Sequence, residues 1–364
     1  MLIRLGAWPA TGQGKHLRLT QERRGSRDRV GLDRVREMNT MSLRSKWKLP
    51  IIWCASLLMI SPAPVQAIEP AAKPAISAQS SPQAEAQPSP VVQDYEPRPA
   101  LWLLEDADTK IYILGTIHVL PPGFRWRSPA IDRVIERADE LVLETYQEGE
   151  DDVPPEAPGL FALETPRPIL DRVPADKRDA LAKVIEAGPL PIEAYAGLRT
   201  WAAALMIGMA GILEGYGVDD PDDAPGVEER LEADFEAAGK PIGQIEDPVD
   251  VLKSLNALPE ETQLELLLSS VDEAGADPAP QASEDHDIWA QGRAEALADS
   301  LEDLPPALFD ALVRRRNAAW TEWLAQRLEK PGTMLLAVGA GHLAGPSSVQ
   351  KMLEARGLPV KRVD

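Results

Sequence analysis

The sequence predicts an α/β fold, with a central mixed β-sheet flanked by helices and two related halves. Residues 111–118 and 335–342 each consist of a short apolar run, a glycine, two further residues and a histidine. Short apolar runs bounded by glycine are typical of buried strands, and the segments between them show helical periodicity. The chain has only four histidines, and two of them, His118 and His342, end the two copies of this pattern. We therefore expect the two histidines to occupy equivalent places at the ends of strands.

The first predicted elements are a hairpin and a strand-helix-strand unit. Residues 101–104 and 111–114 are apolar runs joined by a polar turn, which is typical of a hairpin. Ser128 and Pro129 then have the composition of a helix start, and the apolar run 141–143 ends in Glu144. A right-handed β-α-β crossover would bring His118 and Glu144 to the same edge of one sheet.

The middle of the chain predicts two helices, a strand and a polar interruption. A long helix over 195–216 carries Met206 and Met209 at core spacing, an interpretation that we favour over a binding groove. A second helix runs from Gly226 to Gly239. The strand candidate 241–245 ends in Glu246, and the polar stretch 272–287 holds His286, which we expect to be exposed.

The C-terminal part predicts a helix, a strand, a second helix and an edge strand. The helix begins near Leu308 and contains three consecutive arginines, 314–316. Such a run usually faces solvent, but one member could turn inward to pair with an acid or a substrate carboxylate. The strand 334–338 leads to His342, and a helix over 347–356 precedes an edge strand over 358–363.

Charge and cysteine content exclude several classes of protein. Residues 1–67 hold 12 Lys and Arg against 4 Asp and Glu, whereas the remainder holds 26 against 54. An acidic folded part argues against a nucleic-acid surface and favours cations and cationic substrates, although solubility is the commoner reason for an acidic surface. The single cysteine, Cys54, lies in a segment that we expect to be removed. The mature chain would then have neither disulfides nor a thiol nucleophile.

Residues 1–98 predict an exported protein, and the rest of the chain predicts one folded domain. Residues 1–40 show no hydrophobic periodicity and precede a better start, so we interpret them as an over-extended or disordered N-terminus. Residues 41–67 have the basic, apolar and small-residue regions of a signal peptide. Residues 68–98 form a Pro/Ala/Ser-rich linker, and residues 99–364 form the folded domain. We expect a periplasmic or secreted protein, with membrane contact only if the signal segment is not cleaved.

The residues that end these strands suit a metal site. His118, Glu144 and His342 are two imidazoles and a carboxylate, a ligand set that suits a divalent transition metal with a position open for water. Such a metal suits hydrolysis, because it lowers the pKa of bound water and polarises a carbonyl. Glu246 could be a further ligand or a general base. The sequence has no Gly-x-Ser-x-Gly elbow and no Gly-rich phosphate loop.

Three segments resemble the TraB/GumN family, which includes the TIKI proteins. They are residues 113–118, residues 138–144, and Arg316-Asn317 with Trp320 followed by residues 337–345. The resemblance runs from about residue 100 to residue 364. Gly226-Val227-Glu228 departs from it, because the family usually has Asp at the third position, and residues 244–248 match the family's Leu-Glu-Thr block only loosely.

The resemblance implies a fold similar to that of erythromycin-esterase-like proteins and a site at the strand ends. Some animal members are metal-dependent proteases, so it implies a peptidase that uses Mn, Co or Zn. His118, Glu144 and His342 would bind the metal or activate water, and Arg316 would hold substrate charge. An alternative is a non-catalytic protein that sequesters a secreted peptide or glycan through the same cleft, and a third possibility is an esterase without a catalytic serine.

Overall fold

The structure is a computed structural model that describes residues 91, 93–147, 154–218, 220–275, 279–298, 301 and 304–364. The segments predicted as N-terminus (1–40), signal peptide (41–67) and most of the linker (68–98) lie outside the described residues, as does Cys54. In the described part of the chain, no helix is both long and apolar enough to cross a membrane.

The described residues form strands and helices that alternate along most of the chain. In chain order they are β1 (Leu101–Glu105), β2 (Thr109–Thr116), α1 (Pro129–Arg137), β3 (Glu140–Leu143), α2 (Ala157–Phe161), α3 (Arg178–Ala187), α4 (Thr200–Tyr216), α5 (Val227–Ala237), β4 (Ile242–Gln244), α6 (Pro248–Asn256), α7 (Glu260–Ala274), α8 (Ala279–Ala290), α9 (Pro306–Phe309), α10 (Arg315–Arg327), β5 (Gly332–Gly339), α11 (Val349–Ala355) and β6 (Val360–Arg362). Short 3-10 turns connect several of them.

The strands form one mixed sheet in the order β4-β3-β5-β2-β1-β6. Strands β1 and β2 are antiparallel, with Leu101 opposite Leu114, so the predicted hairpin is confirmed. Strands β4, β3, β5 and β2 are mutually parallel, while β6 lies at the edge beside β1, as predicted. Because β5 lies between β2 and β3, the strands that end before His118, Glu144 and His342 are adjacent.

Helices cover both faces of the sheet, and two separate apolar clusters occupy the space between them. Helix α1 begins as predicted, since the Ser128 hydroxyl accepts a hydrogen bond from the Ile131 N–H and Pro129 occupies the first turn. Helix α4 is apolar almost all round, which is typical of a buried helix. Met206 and Met209 are half-buried against apolar clusters, so their interpretation as packing residues is confirmed.

The prediction that residues 272–287 form a polar interruption with an exposed histidine is wrong. They include the end of α7 and most of α8, and His286 is buried. Its Nε2 lies 3.0 Å from the Tyr216 hydroxyl and 3.1 Å from the Val119 carbonyl, and its ring packs against Phe124. A histidine can be buried without apolar neighbours in the sequence if the fold supplies polar partners. Composition alone therefore gave no signal that His286 is buried.

The three consecutive arginines point in two directions. Residues 310–314 form a π-helical turn that leads directly into α10. Arg314 and Arg315 are exposed and pair with Asp310, whereas Arg316 is buried. The expectation that one arginine of the run turns inward is therefore confirmed. A single π turn inside an α-helix changes the direction in which the following side chains point.

Candidate functional site

The two Gly-x-x-His motifs lie side by side. Thr116 at the end of β2 is in register with Gly339 at the end of β5. A Cβ added to Gly115 would lie 3.2 Å from Ala340 Cα, so the two turns are in direct contact. The indole N–H of Trp289 donates to the Gly115 carbonyl (2.9 Å) and fastens α8 to this point. Close packing of the two turns brings both histidines to one edge of the sheet.

His118 is held by the N-terminus of α5. Its Nδ1 lies 2.7 Å from Glu228 Oε1, although the ring is not aligned for a linear hydrogen bond. The Thr116 hydroxyl donates to the same carboxylate oxygen. The Val227 N–H donates to the Ile117 carbonyl (3.0 Å), which brings the first turn of α5 against the loop before His118. Gly226 permits this approach, because a Cβ there would lie 2.2 Å from the His118 carbonyl oxygen.

The second nitrogen of His118 is also buried. Among the residues that the structure describes, Nε2 has no hydrogen-bond partner. Burial by itself lowers the pKa of His118, but the adjacent Glu228 and the nearby Glu144 outweigh it and raise that pKa to about 9. The ring therefore binds a proton tightly in this surrounding of carboxyl groups, which would favour a metal cation in the same way.

Glu144 is oriented through both of its carboxylate oxygens. The Gly339 N–H donates to Oε1 (2.6 Å), and Arg316 Nη2 donates to Oε2 (2.5 Å). Burial by itself raises the pKa of Glu144, but Arg316, the two histidines and the Gly339 N–H lower it to about 2. Glu144 is therefore ionised and fixed in place at neutral pH.

Arg316 is the centre of the polar cluster. Its Nε donates to both oxygens of Glu246 (3.0 and 2.9 Å), and Nη2 donates to Glu144 and again to Glu246. Its Nη1 donates to the Leu312 carbonyl (3.1 Å) and to His342 Nε2 (3.1 Å). The guanidinium also stands over the Trp320 ring, 4.8 Å from its centroid. Each of its N–H groups thus already has an acceptor.

His342 is fixed by Asn317 as well as by Arg316. The Asn317 amide donates to the carbonyls of His342 (3.1 Å) and Ser347 (2.8 Å), so its Oδ1 is the acceptor that faces His342 Nδ1 at 2.6 Å. Nδ1 therefore carries the ring proton, and Nε2 accepts from Arg316. Burial and Arg316 lower the pKa of His342 to about 3, so the ring is neutral.

Glu246 follows β4, as the sequence predicts for a strand-terminal carboxylate. It accepts the hydrogen bonds of Arg316 described above and one from the Trp320 indole N–H (3.0 Å). Burial raises the pKa of Glu246, while Arg316 opposes this shift. Its contacts are those of a residue that orients the guanidinium.

The predicted site residues converge at the end of β5. A Cβ added to Gly339 would lie 3.2 Å from Glu144 Oε1, 3.6 Å from His118 Nε2 and 3.7 Å from His342 Cδ2. His342 Nε2 lies 3.7 Å from Glu144 Oε1. The structure thus brings together His118, Glu144, His342 and Arg316, which the sequence places far apart in the chain.

Comparison with known proteins assigns the family. The profile of the TraB/PrgY/gumN family matches residues 100–362, which is well over half of the chain. The chain belongs to the TraB/PrgY/gumN family. No curated protein and no solved structure matches the chain. The residue range of the family match contains all six strands of the mixed sheet, so the α/β fold and the family agree.

Several residues that build this TraB/PrgY/gumN site receive no role in it from the sequence analysis. Glu228 contacts His118 and accepts from Thr116, Asn317 contacts His342, and Trp320 donates to Glu246. One signal was available for Glu228, since it stands where the family usually has Asp. Nothing in the sequence alone assigns Thr116 a partner, because that contact spans 112 residues.

The site fits a metal ion only in part. Within the described part of the chain, the buried His118 Nε2 has no hydrogen-bond partner; it borders Gly339 together with Glu144 Oε1, and this pair suits a divalent cation. His342 Nε2, the third predicted donor, already accepts from Arg316. Among the described residues, no three His, Cys, Asp or Glu side chains form a ready ligand group. The residues therefore fit a cation held by His118 and Glu144, with remaining positions open to water or substrate.

Proposed function

We propose that this TraB/PrgY/gumN protein is a metal-dependent hydrolase, and that its substrate is a secreted or periplasmic peptide. One observation carries the proposal: His118 Nε2, which has no hydrogen-bond partner among the described residues, and the ionised Glu144 Oε1 both border Gly339 at the carboxyl ends of adjacent parallel strands. Ligand sites in α/β sheets are concentrated at such strand ends.

Different residues orient His118 and Glu144 in the site. Glu228 and Thr116 orient the His118 ring so that Nε2 faces the reacting centre, while Gly339 and Arg316 fix the carboxylate of Glu144. A divalent ion such as Mn, Co or Zn, held by His118 and Glu144, would lower the pKa of a bound water and polarise the scissile carbonyl. Because these side chains are buried, bulk water is kept away from the ionised groups.

The charge balance of the cluster favours a cation. The carboxyl groups of Glu144 and Glu246 are mostly buried and share the guanidinium of Arg316, while the buried carboxyl group of Glu228 lies against His118. Burying unpaired negative charge is costly, so further positive charge at His118 stabilises the cluster. A proton can supply one positive charge there, and a divalent cation bound at Nε2 would supply two.

The peptide substrate and the export of the protein rest on sequence. Residues 68–364 are strongly acidic, which favours cationic partners such as basic peptides. Export is proposed from the signal-like segment 41–67. The alternative is a binding protein that holds a peptide or glycan at this site without cleaving it.

Metal content and peptide cleavage test the proposal together. The purified protein would be loaded with Mn, Co or Zn, its metal measured by mass spectrometry, and a peptide library incubated with it. We expect bound metal and cleavage products, both lost in Glu144→Gln and retained in Glu265→Gln, which changes an exposed carboxylate on α7. A protein that binds no metal and cleaves nothing refutes the hydrolase. Retention of intact library members would support the binding protein instead.

A further inference from the structure

We propose that Arg316 and His342 are positioning residues that hold Glu144, and that neither one contacts the metal or the substrate. This inference rests on the proposed hydrolase, and it reassigns two residues that the family resemblance would place in direct contact with metal and substrate charge. It leaves His118 and Glu144 as the pair that meets the cation.

The hydrogen bonds of Arg316 use all of its donors. A guanidinium has five N–H groups and no acceptor. In this structure Nε donates to Glu246, Nη1 donates to Leu312 and His342, and Nη2 donates to Glu144 and Glu246. A substrate carboxylate could therefore be bound by Arg316 only if one of these buried contacts were broken.

The tautomer of His342 is set by Asn317. Asn317 donates through its amide nitrogen to two backbone carbonyls, which leaves its oxygen for the Nδ1–H of His342. A neutral imidazole protonated at Nδ1 has one lone pair, at Nε2. Arg316 Nη1 donates to that lone pair at 3.1 Å, and a positive guanidinium at this distance also repels a metal ion.

The surroundings of Arg316 make its withdrawal costly. The residue is 7% exposed, and Glu246 binds it in a fork that the Trp320 indole N–H supports. The Trp320 ring packs against both the guanidinium and the His342 ring, whose centroid is 4.3 Å away. Removing a buried guanidinium from two carboxyl groups would take away the cation that both of them pair with.

The consequence is a division between the two oxygens of Glu144. Oε2 accepts from Arg316, whereas Oε1 accepts from the Gly339 N–H and borders Gly339 together with His118 Nε2. His342 acts through Arg316, because its lone pair holds Nη1 while Nη2 holds Glu144. The C-terminal Gly-x-x-His motif thus orients the carboxylate, and the N-terminal motif supplies the imidazole.

Matched glutamine variants test this division by calorimetric titration with MnCl2, CoCl2 or ZnCl2. Glutamine presents an oxygen close to the position of Nε2, so it can still accept from Arg316 but is a poor metal ligand. We expect His118→Gln to weaken binding by more than about 100-fold, and His342→Gln to stay within about 3-fold of the wild type. His342→Ala, which removes the acceptor, should cost about 10-fold. Equal losses in His118→Gln and His342→Gln would overturn the inference.

Nitrogen NMR of the metal-free protein separates this inference from the proposed function. We expect the His342 ring proton on Nδ1, and an Nε2 signal that shifts when Arg316→Lys removes the guanidinium. If that variant does not fold, Glu246→Gln loosens the guanidinium and serves the same purpose. A ring proton on Nε2, or no shift in either variant, would overturn the inference. A wild type that binds no cation would refute the proposed metal chemistry, while the NMR result would still decide the role of His342.

Discussion

Replacing Gly226 by alanine would test whether α5 must touch the His118 loop. The backbone of Gly226 has φ −77°, which any residue adopts, so the change introduces no backbone strain. The added Cβ, however, would lie 2.2 Å from the His118 carbonyl oxygen and 2.7 Å from its Cα. Since carbon and oxygen atoms rarely approach closer than about 3.3 Å, the two segments must separate by about 1 Å.

The cost of Gly226→Ala follows from the contacts that this separation breaks. The Val227 N–H to Ile117 hydrogen bond (3.0 Å) and the His118–Glu228 pair (2.7 Å) both cross the gap. Each contributes about 1 kcal/mol, and overpacking adds about 1–3 kcal/mol. We therefore expect Gly226→Ala to lower the free energy of unfolding by about 3–5 kcal/mol.

Urea unfolding followed by tryptophan fluorescence measures this effect. With a denaturant slope of about 2–3 kcal/mol per molar, the midpoint should fall by about 1–2.5 M. The matched control is Gly243→Ala in β4, where an added Cβ meets nothing within 4 Å. The control should unfold within about 1 kcal/mol of the wild type. If the two variants were equally stable, the contact between α5 and the His118 loop would not constrain the site.

Two further predictions concern helix packing and pH. Gly211→Ala should destabilise the protein by about 1–3 kcal/mol in the same urea assay, because its Cβ would lie 2.8 Å from Ala274 Cβ on the facing helix, while the Gly243→Ala control should not. Burial raises the pKa of Glu273 to about 7, so its contribution to stability is present below pH 4.5 and is lost as the pH rises through about 7. Glu273→Gln should therefore match the wild type near pH 4 and exceed its unfolding free energy by about 2 kcal/mol at pH 8. The control Glu265→Gln changes an exposed residue and should alter the unfolding free energy little. A difference between Glu273→Gln and the wild type that stays constant from pH 4 to pH 8 would contradict this assignment.

The sequence predicted the sheet edge well, because strand ends carry local signals. The β1–β2 hairpin, the strand before Glu144 and the parallel strand before His342 follow from short apolar runs bounded by glycine or acid. Repetition of one motif also predicted that two distant segments would meet. Strands β2 and β5 are parallel neighbours in the sheet, which confirms this prediction.

The remaining part of the site depends on contacts that no local pattern encodes. The partners of Arg316 come from four separate segments, and only the fold shows that they use all of its N–H groups. The burial of His286 was missed for the same reason, because its polar partners are distant in sequence. Local composition indicates where a strand ends, whereas tertiary packing determines which polar groups remain available.

The π turn over residues 310–314 has a consequence for how this helix can vary. Successive residues of an α-helix are rotated by about 100°, so one residue gained or lost in the turn changes which arginine points inward. Arg314, Arg315 and Arg316 are chemically identical, and only their phase on the helix separates two surface cations from one at the centre of the site. A homologous helix without the extra residue would present a different face to Glu144, even if all three arginines were retained.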